Sequence, residues 1–234
     1  MKKVAVTIDD LVFNWGDHTP CLSIPKFELY CGEKVFIKGP SGSGKSTLLN
    51  MLGGVLLPET GGIRVLEHDY STMRASQLDR FRADHIGFIF QQFNLLPFLS
   101  LLDNVCLPCR FSAKRRARAI EEFGSVEQGA EALLARLGLA EASLYQKDVA
   151  ALSVGQQQRV SAARAILGAP EIIIADEPTS ALDTESRDQF LALLLSQCEL
   201  SGSTLIFVSH DSSLEHHFSQ RAQLMPSANG GYSL

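Results

Sequence analysis

Gly39-Pro40-Ser41-Gly42-Ser43-Gly44-Lys45-Ser46-Thr47 decides the fold. It follows the apolar run Val35-Phe36-Ile37 and precedes Leu48-Leu49-Asn50-Met51-Leu52, which reads as a helix. A strand, a glycine-rich loop with G-x-x-x-x-G-K-[ST] spacing and a helix start form the setting in which that spacing wraps nucleotide phosphates. The glycines let the backbone curl so that successive N–H groups point at an anion. The helix N-terminus adds its partial positive charge at the same place. On this reading Lys45 reaches the β- and γ-phosphates, and the Ser46 hydroxyl joins the shell of a Mg²⁺ ion.

Outward from that loop, Val4 to Phe13 and Lys26 to Tyr30 read as strands, with a polar turn Gly16-Asp17-His18-Thr19-Pro20 after Trp15. Gly53-Gly54 should stop the helix, and Ile63 to Leu66 should form another short strand. Gln77 to Asp84 has helical character. Ile86 to Phe90, Ile172 to Ala175 and Thr204 to Val208 are short, continuous apolar runs, as strands buried on both faces are. Between them, Phe93 to Ala151 carries helical spacing interrupted by Gly124, Gly129 and Gly138, a helical insertion in an α/β core. Its basic run Lys114-Arg115-Arg116-Ala117-Arg118 is expected to be a solvated helix face, with lipid headgroups or an acidic partner as the alternative. Asn229-Gly230 is a hairpin signal near the end of the sequence.

Polar groups sit where three apolar runs end. Gln91 follows the Ile86 run, Asp176-Glu177 the Ile172 run and His210 the Thr204 run. Open α/β sheets gather ligand groups at the carboxyl ends of their strands, so these groups and Lys45 are expected at one edge. Asp176 suits water-mediated Mg²⁺ binding, and Glu177 beside it suits polarising a water for in-line attack on a γ-phosphate. The bland reading is two acids capping the next helix. Ser153 is an N-cap candidate for a helix through Val160, Ala163, Arg164 and Ile166; with Gly155 nearby it reads either as a second anion site or simply as a well-capped helix.

Composition narrows the class. The 234 residues are 45% hydrophobic and 20% charged, which suits one large folded domain. A net charge of -5 does not favour a nucleic-acid backbone as partner. No apolar run reaches the ~18 residues that cross a bilayer, and the start lacks a secretion signal, so an intracellular protein is expected. The five cysteines include a C-x-x-C pair, Cys106 and Cys109, but no second pair at zinc spacing, so apolar filling is expected.

These residues resemble the nucleotide-binding subunit of ABC transporters over essentially the whole chain. Gly39–Thr47 matches Walker A, Ile172–Asp176 Walker B, Glu177 the catalytic glutamate, Gln91 the Q-loop, Ser180–Asp183 the D-loop and His210 the switch histidine. Leu152–Gln156 is similar to the signature LSGGQ, with Val154 in place of its first glycine. The resemblance implies a RecA-like core with a parallel sheet, an N-terminal antiparallel β part and a helical subdomain at 92–158, between core segments 1–91 and 159–234. It implies ATP and Mg²⁺ as ligands, with Ser46, Gln91 and Asp176 at the metal. Lys45, Gln91, Glu177 and His210 would serve catalysis, and all of Gly39, Pro40, Ser41, Gly42, Ser43, Gly44, Lys45, Ser46 and Thr47 the nucleotide.

It further implies a head-to-tail dimer in which Ser153, Gly155, Gln156 and Asp183 of one copy complete the site of the other. Trp15 matches the aromatic that stacks on adenine, although a sole tryptophan also suits a core or a hairpin. The stretch 86–108 resembles the subfamily serving lipoprotein release, macrolide efflux and cell division. That implies a membrane permease partner whose cytoplasmic helix enters a groove of the helical insertion, at the cytoplasmic face of a bacterial inner membrane. Two rivals stand beside an ATPase: a soluble ABC protein of translation or DNA repair, and a regulatory nucleotide switch with little turnover, which Val154 alone favours.

Overall fold

A computed structural model describes residues 2–16, 21–227 and 231–234. In chain order its elements are β1 (Val4–Phe13), β2 (Leu22–Tyr30), β3 (Lys34–Lys38), α1 (Lys45–Leu52), β4 (Thr60–Val65), β5 (His68–Asp69), α2 (Ala75–His85), β6 (Ile86–Ile89) and α3 (Leu101–Phe111). There follow α4 (Ala113–Phe123), α5 (Val126–Arg136), α6 (Val154–Ile166), β7 (Ile172–Asp176), α7 (Thr184–Ser201), β8 (Thr204–Ser209), β9 (Gln220–Gln223), β10 (Met225–Pro226) and β11 (Tyr232–Ser233). The expected turn residues 17–20 and Asn229-Gly230 lie outside the described residues. The chain divides into two compact units, Met1–Arg82 with Thr204–Leu234, and Ala83–Ser203.

In the first unit β1 pairs antiparallel with β2 on one side and β4 on the other, placing Ile8 opposite both Phe27 and Ile63. Ile8, Leu11, Leu22 and Ile24 are fully buried, so the sheet turns one face to the core. β3 is parallel to both β8 and β9. Every residue of β8 and the centre of β3 are buried, as their unbroken apolar character requires in a parallel sheet. Phe36 stacks on Phe207 at 6.0 Å, and Phe218 tilts against both rings. The helix after the phosphate loop ends where expected, at Gly53-Gly54: the Gly53 N–H donates to the Leu49 carbonyl and the Gly54 N–H to that of Met51.

In the second unit β6 and β7 pair in parallel, from Ile86 opposite Ile172 to Ile89 opposite Ala175. Gly87 is required by close approach: a Cβ there would stand 2.2 Å from the Ala165 carbonyl oxygen, so α6 lies directly on the backbone of β6. The stretch expected to hold several helices holds α3, α4 and α5, each opened by a serine. Ser100, Ser112 and Ser125 accept from the N–H of Asp103, Arg115 and Gln128 respectively. Gly124 closes α4 at φ +89. Gly129 does not interrupt the helix as expected; it lies buried inside α5, where a Cβ would meet Phe123 and Leu167. Cys106 and Cys109 are buried on α3, and burial pushes the Cys106 thiol up to about 12.

The basic run is not a solvated face. Arg115 is 2% exposed and donates from Nε to the Leu167 carbonyl and from Nη2 to those of Arg164 and Ala165. The last carbonyls of a helix lack intrahelical partners, and here a guanidinium from α4 supplies them at the C-terminus of α6. Burial lowers the Arg115 pKa to about 10, which leaves it charged at neutral pH, favourable beside a helix C-terminus. Lys114 and Arg118 both bond to Glu171, at 2.9 and 2.7 Å, and His85 reaches the other Glu171 oxygen at 3.0 Å. Within the run, Arg116 and Ala117 are the exposed residues.

Candidate functional site

In the first unit the loop between β3 and α1 takes the form that its glycines permit. Gly44 caps α1 at φ 84, a left-handed conformation costly for other residues, and leaves the helix N-terminus without a side-chain cap. No acidic residue stands in the first turn of α1. Lys45 is buried, and its Nζ donates to the Gly39 and Pro40 carbonyls at 2.8 and 3.0 Å, curling the loop around its own ammonium. Ser43 Oγ is buried and has no hydrogen-bond partner among the described residues. An uncapped helix start, an inward ammonium and an orphaned hydroxyl together suit a polyphosphate.

Ser41, Gly42 and Ser46 are exposed along the same loop. Trp15 is 68% exposed, edge-on to Phe13 at 5.1 Å, and its indole N–H donates to the Thr47 hydroxyl at 3.4 Å. It is therefore not a core residue; it offers an open ring face beside the phosphate loop. Lys38 stands opposite Ser209 in the β3–β8 register, so the loop and His210 leave neighbouring strands at the same end. His210 is exposed.

In the second unit Gln91 and Asp176-Glu177 likewise leave paired parallel strands at one end, since Ile89 stands opposite Ala175. Glu177 is 8% exposed and has φ 47, a left-handed conformation for a residue with a side chain. Such a dihedral costs about 1 kcal/mol or more and needs surrounding structure to hold it. Among the described residues no three His, Cys, Asp or Glu side chains cluster as a metal site, so a divalent ion would depend on hydroxyl, amide and phosphate oxygens as well.

Ser153 caps α6 in a reciprocal capping box. Its Oγ accepts from the Gln156 N–H at 3.3 Å, and its own N–H donates to Gln156 Oε1 at 3.0 Å. Val154 is the first helical residue of α6 and 45% exposed, so a β-branched side chain fits without displacing the turn. The position is thus already helical, the case in which valine is tolerated. Gly155 has φ outside the left-handed region, and a Cβ there would meet only Leu182, at an ordinary 3.7 Å. Among the described residues nothing demands glycine at that position. Asp183 caps α7 through the Ser186 N–H and Oγ, at 2.9 and 2.8 Å, and these bonds lower its pKa.

Sequence reasoning missed the contacts that tie these groups together. Phe93 and Asn94, just past Gln91, have φ 58 and 48. Arg164 forks onto both their carbonyls, and Ser161 donates to that of Phe93 at 3.2 Å. The available signal was one charged residue among the small and apolar residues of Ser161-Ala162-Ala163-Arg164-Ala165-Ile166.

Fold and loop define an α/β nucleotide-hydrolysing cassette, with a parallel sheet, an antiparallel β part and a helix-rich segment. The chain belongs to the ABC transporter family, whose profile matches residues 22–180. It is 38% identical, over 93% of its length, to the macrolide export ATP-binding/permease protein MacB of Pasteurella multocida, and covers 32% of that relative. It is 45% identical over 78% of its length to the MacB of Rhodopseudomonas palustris, and covers 26% of it. The chain thus spans about a quarter to a third of these curated relatives. Among solved structures it is similar to the ATP-binding cassette MJ0796, solved as a dimer in a post-hydrolysis state with ADP and Pi, at a TM-score of 0.75, 34% identity and 93% coverage of both chains.

Proposed function

We propose that this ATPase cassette drives a membrane permease or force-transmitting complex, with two copies closing head to tail over two ATP molecules. The observation that carries the reading is the loop between β3 and α1: Lys45 turned inward, Ser43 Oγ orphaned and the helix start uncapped. Residues Gly39–Thr47 would cradle the phosphates, and Trp15 would stack on the base. Ser46, Gln91 and Asp176 would hold Mg²⁺, which neutralises charge on the β- and γ-phosphates.

Glu177, held at the end of β7, would accept a proton from the attacking water. His210 would donate to the γ-phosphate and Gln91 would orient the water. Ser153, Gly155 and Gln156 of the second copy would cover the γ-phosphate with the start of α6, and Asp183 would order the loop beside it. MJ0796 as a dimer and MacB as a joined ATP-binding/permease protein support the two partnerships. The helical subdomain 92–158 would receive the permease, at the cytoplasmic face of an inner membrane. Among the described residues no helix is long and apolar enough to cross a membrane.

Two substitutions test this reading. Lys45→Ala should abolish binding of a fluorescent ATP analogue. Glu177→Gln should bind it normally, lose about 10²–10⁴-fold in hydrolysis and accumulate as an ATP-dependent dimer in light scattering. Hydrolysis by Glu177→Gln at the wild-type rate would remove the assigned base.

A further inference from the structure

The backbone past Gln91 is strained, and one arginine holds it. Phe93 and Asn94 both occupy the left-handed region. Arg164 Nη2 donates to the Phe93 carbonyl and Nη1 to that of Asn94, each at 2.6 Å. Arg164 is 9% exposed, and among the described residues no carboxylate pairs with it. Two backbone carbonyls therefore compensate a buried charge whose pKa burial has lowered to about 10.

The same residue is held from behind. Its own carbonyl accepts from Arg115 Nη2 at 3.1 Å, and the next residue's carbonyl packs on the β6 backbone at Gly87. The side chain of Arg164 cannot follow the Phe93–Asn94 segment away from α6 without leaving a desolvated charge unpaired. The helix that begins at Ser153 and the segment that follows Gln91 are thus one mechanical piece.

We propose that Arg164 is a positioning residue for ATP hydrolysis: its fork fixes the segment after Gln91 to the helix of the signature sequence, so that Gln91 is held in place at its own chain's nucleotide while the start of that helix meets the nucleotide of the second copy. This rests on the ATPase reading above. Arg164 touches no reacting atom; it acts through Gln91, and Ser161 assists.

The test uses the purified chain and Arg164→Lys, which keeps the charge but loses the planar fork. Turnover should fall about tenfold with the KM for ATP within about twofold, because orientation and not nucleotide binding is lost. Amide hydrogen exchange should accelerate at residues 92–96, while α6 and β7 keep their protection. Unchanged turnover, a rise in KM alone, or loss of protection across α6 and β7 together would overturn the proposal.

If Arg164→Lys does not fold, Ser161→Ala removes the third contact on Phe93. It should lower turnover about two- to threefold and accelerate exchange at the same amides; no change in either overturns the proposal. A Glu177→Gln chain that still hydrolyses ATP would instead overturn the ATPase reading on which this rests.

Discussion

Glu177 is legible in the sequence as an acid after an apolar run, but its conformation is not. Its φ of 47 depends on what packs around it, and the pattern Ile172-Ile173-Ile174-Ala175-Asp176-Glu177 is silent on that. Trp15 shows the reverse case: the sequence left core and surface open, and an exposure of 68% beside Thr47 decides for the surface. Val154 is a residue where the sequence left two cases open, since valine in place of glycine is tolerated only if the position is helical. The position is helical and outward-facing. Val154→Gly should therefore change steady-state ATP turnover less than about twofold, and lower stability in urea by about 0.5 kcal/mol or less from glycine's backbone entropy.

At the scale of elements, strands were easier to read than helices' surroundings. Continuous apolar runs such as Thr204 to Val208 have one stable setting, a sheet covered on both faces, and β8 occupies it. The basic run of α4 has two, solvent or a buried set of acceptors. The deciding acceptors are carbonyls of α6 some 50 residues away, a distance no local pattern spans. Glu171 joins that arrangement. Burial alone would raise its pKa, but hydrogen bonds from His85, Arg118 and Lys114 outweigh it and hold the carboxyl well below its ordinary 4.5. A depressed pKa adds stability above the unfolded value that fades as pH falls below it. The stability gap between the wild type and Glu171→Gln should be full at neutral pH and shrink as pH falls below 4.5, as urea midpoints across that range would show.

For the whole molecule, the resemblance carried the assembly further than packing could, because half of the proposed site belongs to a second copy. Gly155 is where that absence leaves a trace. Among the described residues it has room for a side chain, with Leu182 at 3.7 Å from a built Cβ, so their packing does not explain the glycine. Gly155→Arg should leave the stability of the monomer in urea within about 1 kcal/mol of wild type, since this half-buried first-turn position has room for a side chain. In a Glu177→Gln background it should abolish the ATP-dependent dimer seen by light scattering. A dimer that persists would place the closing surface elsewhere.

The contacts of Lys45 with Gly39 and Pro40 bear on when the site's charge is put in place. Folding already buries the ammonium and turns it onto two carbonyls of its own loop, so its direction is set before any triphosphate arrives. The entropy of aiming that charge is then spent once, in folding, rather than at each binding event.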